Sequence, residues 1–337
     1  MKKILLFILK VLIAGGIIAY LIHKNGVAIK DIAKIPVPVM ILAFLSMLIQ
    51  NLLTGIRWHS LLKCAGIHLT LREAISLTLQ GCFYTLFLPG GAVGGDVIKA
   101  GILAKRAPAG KKFTGVFSIL IDRLCGLTAL MIVCLGSVLW CLPEIHTFPE
   151  KTRYFIYTLV LACAGAICAA FCLFFHDILY KIPFIKKFSD FLDKYTKGSF
   201  HQAADAMCLY RSHWKRLLAW TTATVFIFFP FLGQCLWLAA YGVTGTMPSW
   251  KMLFCAANLS NAVSAIPLTQ GGIGTRDFVT TSFLTGCGFP ENAAGVIPLV
   301  YTGVFLLVSF SGGIFVFYDS FFRKKVEKTC NPPKTEL

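Results

Sequence analysis

The chain has 337 residues, of which 57% are hydrophobic and only 14% are charged, and its mean hydropathy is +0.74. Soluble domains carry about 45–50% apolar and about 25% charged residues, so this composition excludes a soluble globular protein and indicates an integral membrane protein. The net charge is +17, but most of the excess lies in short segments beside apolar runs, where basic residues set membrane orientation. We therefore expect no nucleic-acid partner.

Six apolar runs are long enough to cross the hydrocarbon core of a bilayer, which takes about 20 residues of helix. The first run resembles a signal peptide, but Lys10 interrupts it and no A-x-A cleavage site follows, so we predict an uncleaved span. Two further apolar regions, residues 74–112 and 252–288, are broken by Pro and Gly, and neither supplies two full spans. The six predicted spans are residues 4–22, 39–56, 113–142, 154–176, 216–241 and 294–318.

Lysine and arginine counts predict the orientation of these spans. The segments predicted to be cytoplasmic carry five, eight and five basic residues: 97–112, 177–216 and the tail after Tyr318. The loops predicted to be external carry two, one and none: 142–153, 242–251 and 289–293. Loop 23–38, with three lysines, departs mildly from the pattern. These counts fit cytoplasmic termini, six full transmembrane helices and two re-entrant broken-helix hairpins that each return to their own side.

The two broken regions share a glycine-rich turn. The first reads LPGGAVGGD from Leu88 and the second IPLTQGGIGTRDF from Ile266, each with a proline shortly before the glycines. The order span, hairpin, span also repeats in opposite orientation over residues 39–142 and 216–318, which is typical of the inverted repeats of transporters. The sequence therefore predicts an all-α polytopic membrane protein in which the two hairpins belong to an inverted repeat.

The turns are candidate binding elements because non-helical backbone at membrane depth needs protein or a water-filled cavity to satisfy its polar groups. Glycine allows positive φ angles and close backbone approach, and the helix N-termini that follow favour anionic groups. An alternative is that two surface loops resemble each other by chance. The candidate substrate-binding residues in the turns are Pro89, Gly90, Gly91, Gly94, Gly95, Pro267, Gly271, Gly272 and Gly274.

Charged residues inside the apolar regions are the second signal. Each costs about 2.5–3.5 kcal/mol at the centre of a helix on insertion scales, so such residues should face the protein interior and pair. Asp122 lies about ten residues into a predicted span, or ~15 Å along a helix. These residues either contact a lipid headgroup or form salt bridges that only hold the two halves together, and both roles stay open. The set is Arg57, Asp96, Asp122, Arg123, Arg276 and Asp277.

Thirteen cysteines and seven histidines do not form a recognisable metal or redox site. No C-x-x-C occurs, most cysteines lie in apolar runs where the thiol behaves as a small hydrophobe, and no histidines have H-E-x-x-H spacing. The chain also has no G-x-S-x-G motif and no paired DxD-type carboxylates. We therefore predict no metal, no cofactor and no catalytic residue.

Four motifs in order carry a resemblance to a known family: GIRWHSLLKCAG from Gly55, LPGGAVGGD, IDRLCGL from Ile121 and IPLTQGGIGTRDF. Together they resemble the flippase-like membrane domain of bacterial lysylphosphatidylglycerol synthases and of related stand-alone proteins, over residues 4–322. The resemblance implies a multi-pass protein of the bacterial cytoplasmic membrane that handles membrane phospholipids or polyprenyl-linked lipids. The family's first turn often carries a Glu and an Arg, where this chain reads Gly95-Asp96-Val97-Ile98-Lys99.

The resemblance implies transport of an anionic, aminoacylated or polyprenyl-linked lipid between leaflets. The full-length synthases add a soluble acyltransferase-like domain, whereas here we predict a membrane domain over 1–322, an amphipathic cytoplasmic segment at 177–215 and a basic tail at 323–337. We therefore expect no lysyltransferase activity. An alternative is a membrane subunit or remnant that supports a separately encoded synthase or glycosyltransferase without catalysis of its own.

Overall fold

A computed structural model describes residues 32, 34–88, 91–108, 110–174, 209–266 and 269–319. Within these ranges every regular element is helical, which confirms the predicted all-α class. Several predictions fall outside the described residues: the first span at 4–22, most of the amphipathic segment 177–215, the basic tail 323–337, and the turn residues Pro89, Gly90 and Pro267.

The described residues form α-helices. They also include a π-helix at Thr224–Phe228 and a short 3-10 turn at Gln270–Gly272. The α-helices are α1 Val37–Cys64, α2 Leu71–Phe87, α3 Ala92–Arg106, α4 Lys112–Trp140, α5 Leu142–Ile145, α6 Glu150–Phe174, α7 Trp214–Ala223, α8 Phe229–Thr244, α9 Trp250–Ser264, α10 Thr275–Gly286 and α11 Glu291–Tyr318.

Four helical stretches of the described chain are long and apolar enough to cross a membrane: α1, α4, α7 to α8 taken together, and α11. They coincide with four of the six predicted spans, while the span predicted at 154–176 falls on α6, which is not among the four. Their outward faces carry exposed apolar side chains, as lipid contact requires, and examples are Leu139, Phe226 and Ile314. The protein is therefore a multi-pass membrane protein.

Helices α2 and α3 pack as an antiparallel pair. Thr70 and Glu73 form a capping box that starts α2. Near the turn, a Cβ on Gly95 would overlap the carbonyl oxygen of Gly81, so this close approach requires glycine. At the other end of the pair, Arg106 forms an ion pair with Glu73.

The base of this pair lies where α1 ends and α4 begins. Lys111 Nζ donates a hydrogen bond to Gly66 O at 3.1 Å, and Ile67 packs against Gly115. The start of α2 and the finish of α3 therefore lie at the same end of the molecule, which we call the Lys111 end (Cys64–Gly66 and Lys111–Gly115).

Helices α9 and α10 form a second antiparallel pair that starts and finishes at the opposite end. At the start of α9, Lys251 Nζ donates to Glu144 Oε1 at 2.6 Å. Near the end of α10, the rings of Phe283 and Phe148 lie 5.2 Å apart. We call this the Glu144 end (Cys141–Phe148). Because α4 is 29 residues long, about 43 Å of helix separates the two ends.

The turns of the two helix pairs meet inside the protein. Gln270 Nε2 donates to Leu88 O at 2.8 Å and also to Thr85 O, so the second turn is hydrogen-bonded to carbonyl groups at the end of α2. Gly91 and Gly271 have φ values of 58° and 62°, and a Cβ at Gly91 would lie 3.3 Å from the backbone nitrogen of Gly271. The contact therefore depends on glycine at both positions.

Helix packing in the first half has a counterpart in the second half. Helix α2 packs against α1, α3 and α11, and α9 packs against α8, α10 and α4. Helices α1 and α8 run antiparallel, since Val39 near the start of α1 lies beside Gly242 near the end of α8, while Arg57 lies over the ring of Phe228. The two helix pairs therefore have matching sets of neighbouring helices.

We predict that Gly312→Ala in α11 lowers the free energy of unfolding by about 1–3 kcal/mol, because its Cβ would overlap Leu79 O across the contact with α2. Gly303→Ala in the same helix is the matched control, since no atom lies within 4 Å of a Cβ there, and it should leave stability within about 1 kcal/mol of the wild type. Denaturant titration in detergent micelles measures both variants. Equal losses from the two would contradict the close approach of α2 and α11.

Candidate functional site

A buried ion pair connects α1 to α4. Arg57 Nε donates to Asp122 Oδ1 at 2.8 Å, and one of its terminal nitrogens donates to Asp122 O at 3.3 Å. Both side chains are at least nine-tenths buried. The other terminal nitrogen donates to Thr224 Oγ1 at 3.0 Å, so the guanidinium is hydrogen-bonded on all three nitrogens. These contacts make the pair a junction between helices.

Thr224 reaches this pair from the π-helix between α7 and α8. Pro230 follows that π-helix and has no backbone N–H to continue the α-helical bonding pattern, which favours a local change of helix type. Thr224 Oγ1 also donates to Trp220 O at 2.7 Å, which leaves its lone pairs to accept from Arg57. The second half of the protein thus completes a charged site made mostly by the first half.

A second ion pair, between Asp96 on α3 and Arg123 on α4, lies beside the first and is partly open. Arg123 donates to both carboxylate oxygens of Asp96, with one contact at 3.0 Å. The Arg123 side chain is 48% exposed and that of Asp96 is 21% exposed. This pair is therefore the most accessible part of the predicted charged set.

Lys99 belongs to the same cluster, although we did not select it from the sequence as a site residue. We counted it with the cytoplasmic basic residues, but the structure buries it in the middle of α3, one turn after Asp96. Its ammonium lies 3.5 Å from the centroid of the Trp58 ring and 3.4 Å from Thr78 Oγ1. The sequence signal for this position is the spacing of three residues between Asp96 and Lys99, which places the two side chains on the same face of a helix.

Arg276 and Asp277 form the corresponding site of the second half, at the start of α10. Both are buried, and Thr302 on α11 connects them: it accepts a hydrogen bond from Arg276 at 2.8 Å and donates one to Asp277. The guanidinium carbon of Arg276 lies 4.7 Å from the ring centroid of Tyr301 and 4.7 Å from that of Phe305. Sequence reasoning did not single out Thr302 or the two rings, because all three look like ordinary residues of an apolar span.

The predicted turn glycines fall into two groups. Gly91, Gly271, Gly272 and Gly274 have positive φ, as the turn prediction requires. Gly94 and Gly95 lie instead inside the first turns of α3, where both are buried, and Gly95 serves the close approach to α2. Gly274 caps α10, and its N–H donates to Asp277 Oδ2 at 2.8 Å, so that helix N-terminus already holds a carboxylate.

Two buried polar atoms near the meeting turns have no hydrogen-bond partner among the described residues: Gln270 Oε1 and Arg276 Nε. Buried polar atoms are normally paired, so such atoms mark places where water or a ligand group completes the site. One is an acceptor and the other a donor, and both belong to the second half.

The cluster of Asp122 and Arg123 lies near the boundary between two apolar cores. Along α4, the core at the Lys111 end extends to Cys125 and the other core begins at Ala129. No group of three or more His, Cys, Asp or Glu side chains in the described ranges could hold a metal ion. An open groove of about 670 Å³ runs along α7 and the π-helix between Trp214 and Ile227, and none of the predicted site residues lines it.

Comparison with known proteins gives a family match over most of the chain. The model of the family described as "Lysylphosphatidylglycerol synthase TM region" matches residues 7–312. A UPF0104 membrane protein of Pyrococcus horikoshii is 28% identical over 145 residues, which are 42% of this chain and 42% of that protein. The chain therefore matches less than half the length of that relative. No solved structure matches the chain.

We predict that Asp122→Asn lowers the free energy of unfolding by about 3–5 kcal/mol, because it leaves the buried Arg57 without its counter-charge. Asp96→Asn should cost no more than about 1 kcal/mol, since its partner Arg123 is half-exposed. Replacing both buried partners with apolar residues, as in Arg57→Met with Asp122→Leu, should recover much of the loss. Denaturant titration in mixed micelles measures all three, and equal losses for the two Asn variants would contradict the junction.

Proposed function

The chain belongs to the family of the lysylphosphatidylglycerol synthase transmembrane region, and from this premise we propose that it moves an anionic, aminoacylated or polyprenyl-linked lipid between the leaflets of the membrane. The observation that carries the proposal is the meeting of two broken-helix turns, one from each end of the molecule, beside paired charges. The proposal assigns this chain transport and no chemistry of its own.

In this proposal the pairs α2–α3 and α9–α10 are re-entrant hairpins. Each pair starts and finishes at its own end of the molecule, and the two ends are opposite. The Lys111 end carries the basic residues expected in the cytoplasm, so the first hairpin would enter from there and the second from outside. Broken helices of this kind expose unsatisfied backbone groups in the interior, where transporters bind their substrates.

The charges lie at the depth that such a site requires. Asp122 is ten residues from the start of α4, and Thr302, which holds Arg276 and Asp277, is eleven residues from the start of α11. At 1.5 Å per residue both lie about 15–17 Å along helices of about 42–44 Å. Because the two helices run in opposite directions, the two clusters approach the midplane from opposite sides.

The contacts divide the charged residues by role. Arg57 pairs with Asp122 and also donates to Thr224, and these contacts join helices, so we assign both charged residues to holding the site. Arg123 is half-exposed, and we assign it to the first contact with a headgroup phosphate, since guanidinium groups bind phosphate through two parallel hydrogen bonds. Arg276, with its unpaired Nε, is assigned the equivalent contact in the second half.

Leaflet exchange in proteoliposomes tests the proposal. Purified protein is reconstituted with quenchable phosphatidylglycerol, lysylphosphatidylglycerol or a polyprenyl phosphate, and the rate at which the label becomes accessible is measured. We expect exchange of at least one lipid by the wild type, and loss of about tenfold or more in Arg123→Gln and Arg276→Gln, as the loss of a charge-assisted hydrogen bond implies.

Arg153→Gln is the matched control, because Arg153 pairs with Glu150 at the start of α6, away from both clusters. It should exchange lipid at the wild-type rate. If well-folded wild-type protein exchanges none of the three lipids, the transport proposal fails, and the alternative of a membrane subunit for a separately encoded enzyme takes its place. Unchanged exchange in both site variants would instead overturn the residue roles.

A further inference from the structure

Lys99 is a buried cation without a carboxylate partner. It is 5% exposed, and none of the ion pairs among the described residues includes it. The two carboxylates of its cluster, Asp122 and Asp96, pair with Arg57 and Arg123 instead. Both carboxylates lie near enough to attract the Lys99 charge, but neither contacts it, and an ammonium group taken out of water without a direct ion-pair partner is destabilised.

The contacts that Lys99 does make leave hydrogen-bonding capacity unused. An ammonium has three N–H donors, and Lys99 uses one on Thr78 Oγ1 at the long distance of 3.4 Å. The Trp58 ring, 3.5 Å away, stabilises the positive charge through its π face, but it offers no lone pair. At least one N–H is therefore available to an incoming acceptor.

The charge balance of the whole cluster points the same way. It holds three cations, Arg57, Lys99 and Arg123, and two carboxylates, Asp96 and Asp122. The balance is one positive charge in excess. A ligand that carries one net negative charge would neutralise it.

We propose that Lys99 and Arg123 together bind the phosphate of an anionic headgroup, and that the excess positive charge selects lipids with a net negative headgroup. This inference rests on the proposed function in taking the ligand to be a lipid. In this proposal the half-exposed Arg123 is the entrance to the site, and the buried Lys99 lies one helical turn from Asp96, the carboxylate that pairs with Arg123.

The same balance disfavours an aminoacylated lipid at this site. A lysyl ester of phosphatidylglycerol carries two ammonium groups against one phosphate, so its headgroup has one net positive charge. Bound beside Lys99 and Arg123, it would leave the cluster with two unneutralised positive charges. Like charges brought together away from water repel strongly, so this repulsion provides the selectivity.

Equilibrium binding tests the inference without requiring transport. Protein in nanodiscs of phosphatidylcholine is titrated with a fluorescent short-chain phosphatidylglycerol, with lysylphosphatidylglycerol, and with inorganic phosphate. We expect the wild type to prefer phosphatidylglycerol over the other two. Lys99→Met should weaken phosphatidylglycerol binding by about tenfold or more, and Lys99→Arg, which keeps the charge, should stay within about threefold.

Lys105→Met is the matched control. Lys105 is an exposed lysine on the same helix, so this substitution removes the same charge from an exposed position. Its affinity should stay within about twofold of the wild type, as expected for an exposed charge. Lys99→Met should also unfold at a temperature no lower than the wild type without anionic lipid, since it removes an unpaired buried charge. A lower unfolding temperature with unchanged lipid preference would assign Lys99 to packing on Trp58 and overturn the inference.

The remaining outcomes separate this inference from the transport proposal. Equal binding of inorganic phosphate and phosphatidylglycerol would overturn the lipid assignment, and tighter binding of lysylphosphatidylglycerol would overturn the selectivity. If the wild type exchanges lipid while Lys99→Met binds phosphatidylglycerol normally, the inference fails and the transport proposal stands. If binding depends on Lys99 in a protein that exchanges no lipid, transport fails and the anionic site stands.

Discussion

Charge burial in an apolar bundle is the constraint on which this structure depends. Arg57 and Asp122 can lie between two apolar cores only because each neutralises the other and every guanidinium nitrogen has an acceptor. Meeting that condition requires α1, α4 and the π-helix to converge on one point. The second half meets the same condition differently, with Thr302 and two aromatic rings around Arg276. The charged residues therefore determine which helices pack together and at which point along each helix they do so.

Composition was enough to predict the coarse fold. Four of the six predicted spans coincide with long apolar helices, because hydropathy and helix length are properties of a segment taken alone. The positions of the helix breaks were predicted from the prolines and glycines. A chain that turns inside an apolar bundle needs residues that adopt positive φ, as Gly91 and Gly271 do. The candidate list of acids and bases also contained both ion pairs of the first cluster.

The sequence did not predict which acidic residue pairs with which basic residue. Three acids and three bases allow several pairings, and only the helix packing decides that Arg57 takes Asp122 while Arg123 takes Asp96. Lys99 was misplaced because counting basic residues treats a lysine within a helix and one in a loop alike. Thr302 had no local signal at all, and Gln270 lies in a quoted motif but was not selected, since the partners of both are distant in sequence.

The contact between the two turns also joins groups that are synthesised at different times. Gln270 donates to the carbonyl of Thr85 across 185 residues of chain. At about 5–20 residues per second, roughly 10–40 s of translation separates the emergence of these two groups from the ribosome. During that interval Thr85 O lacks its Gln270 donor, and Arg57 lacks Thr224. Until the second half is made, these buried polar groups need water or lipid headgroups as hydrogen-bond partners.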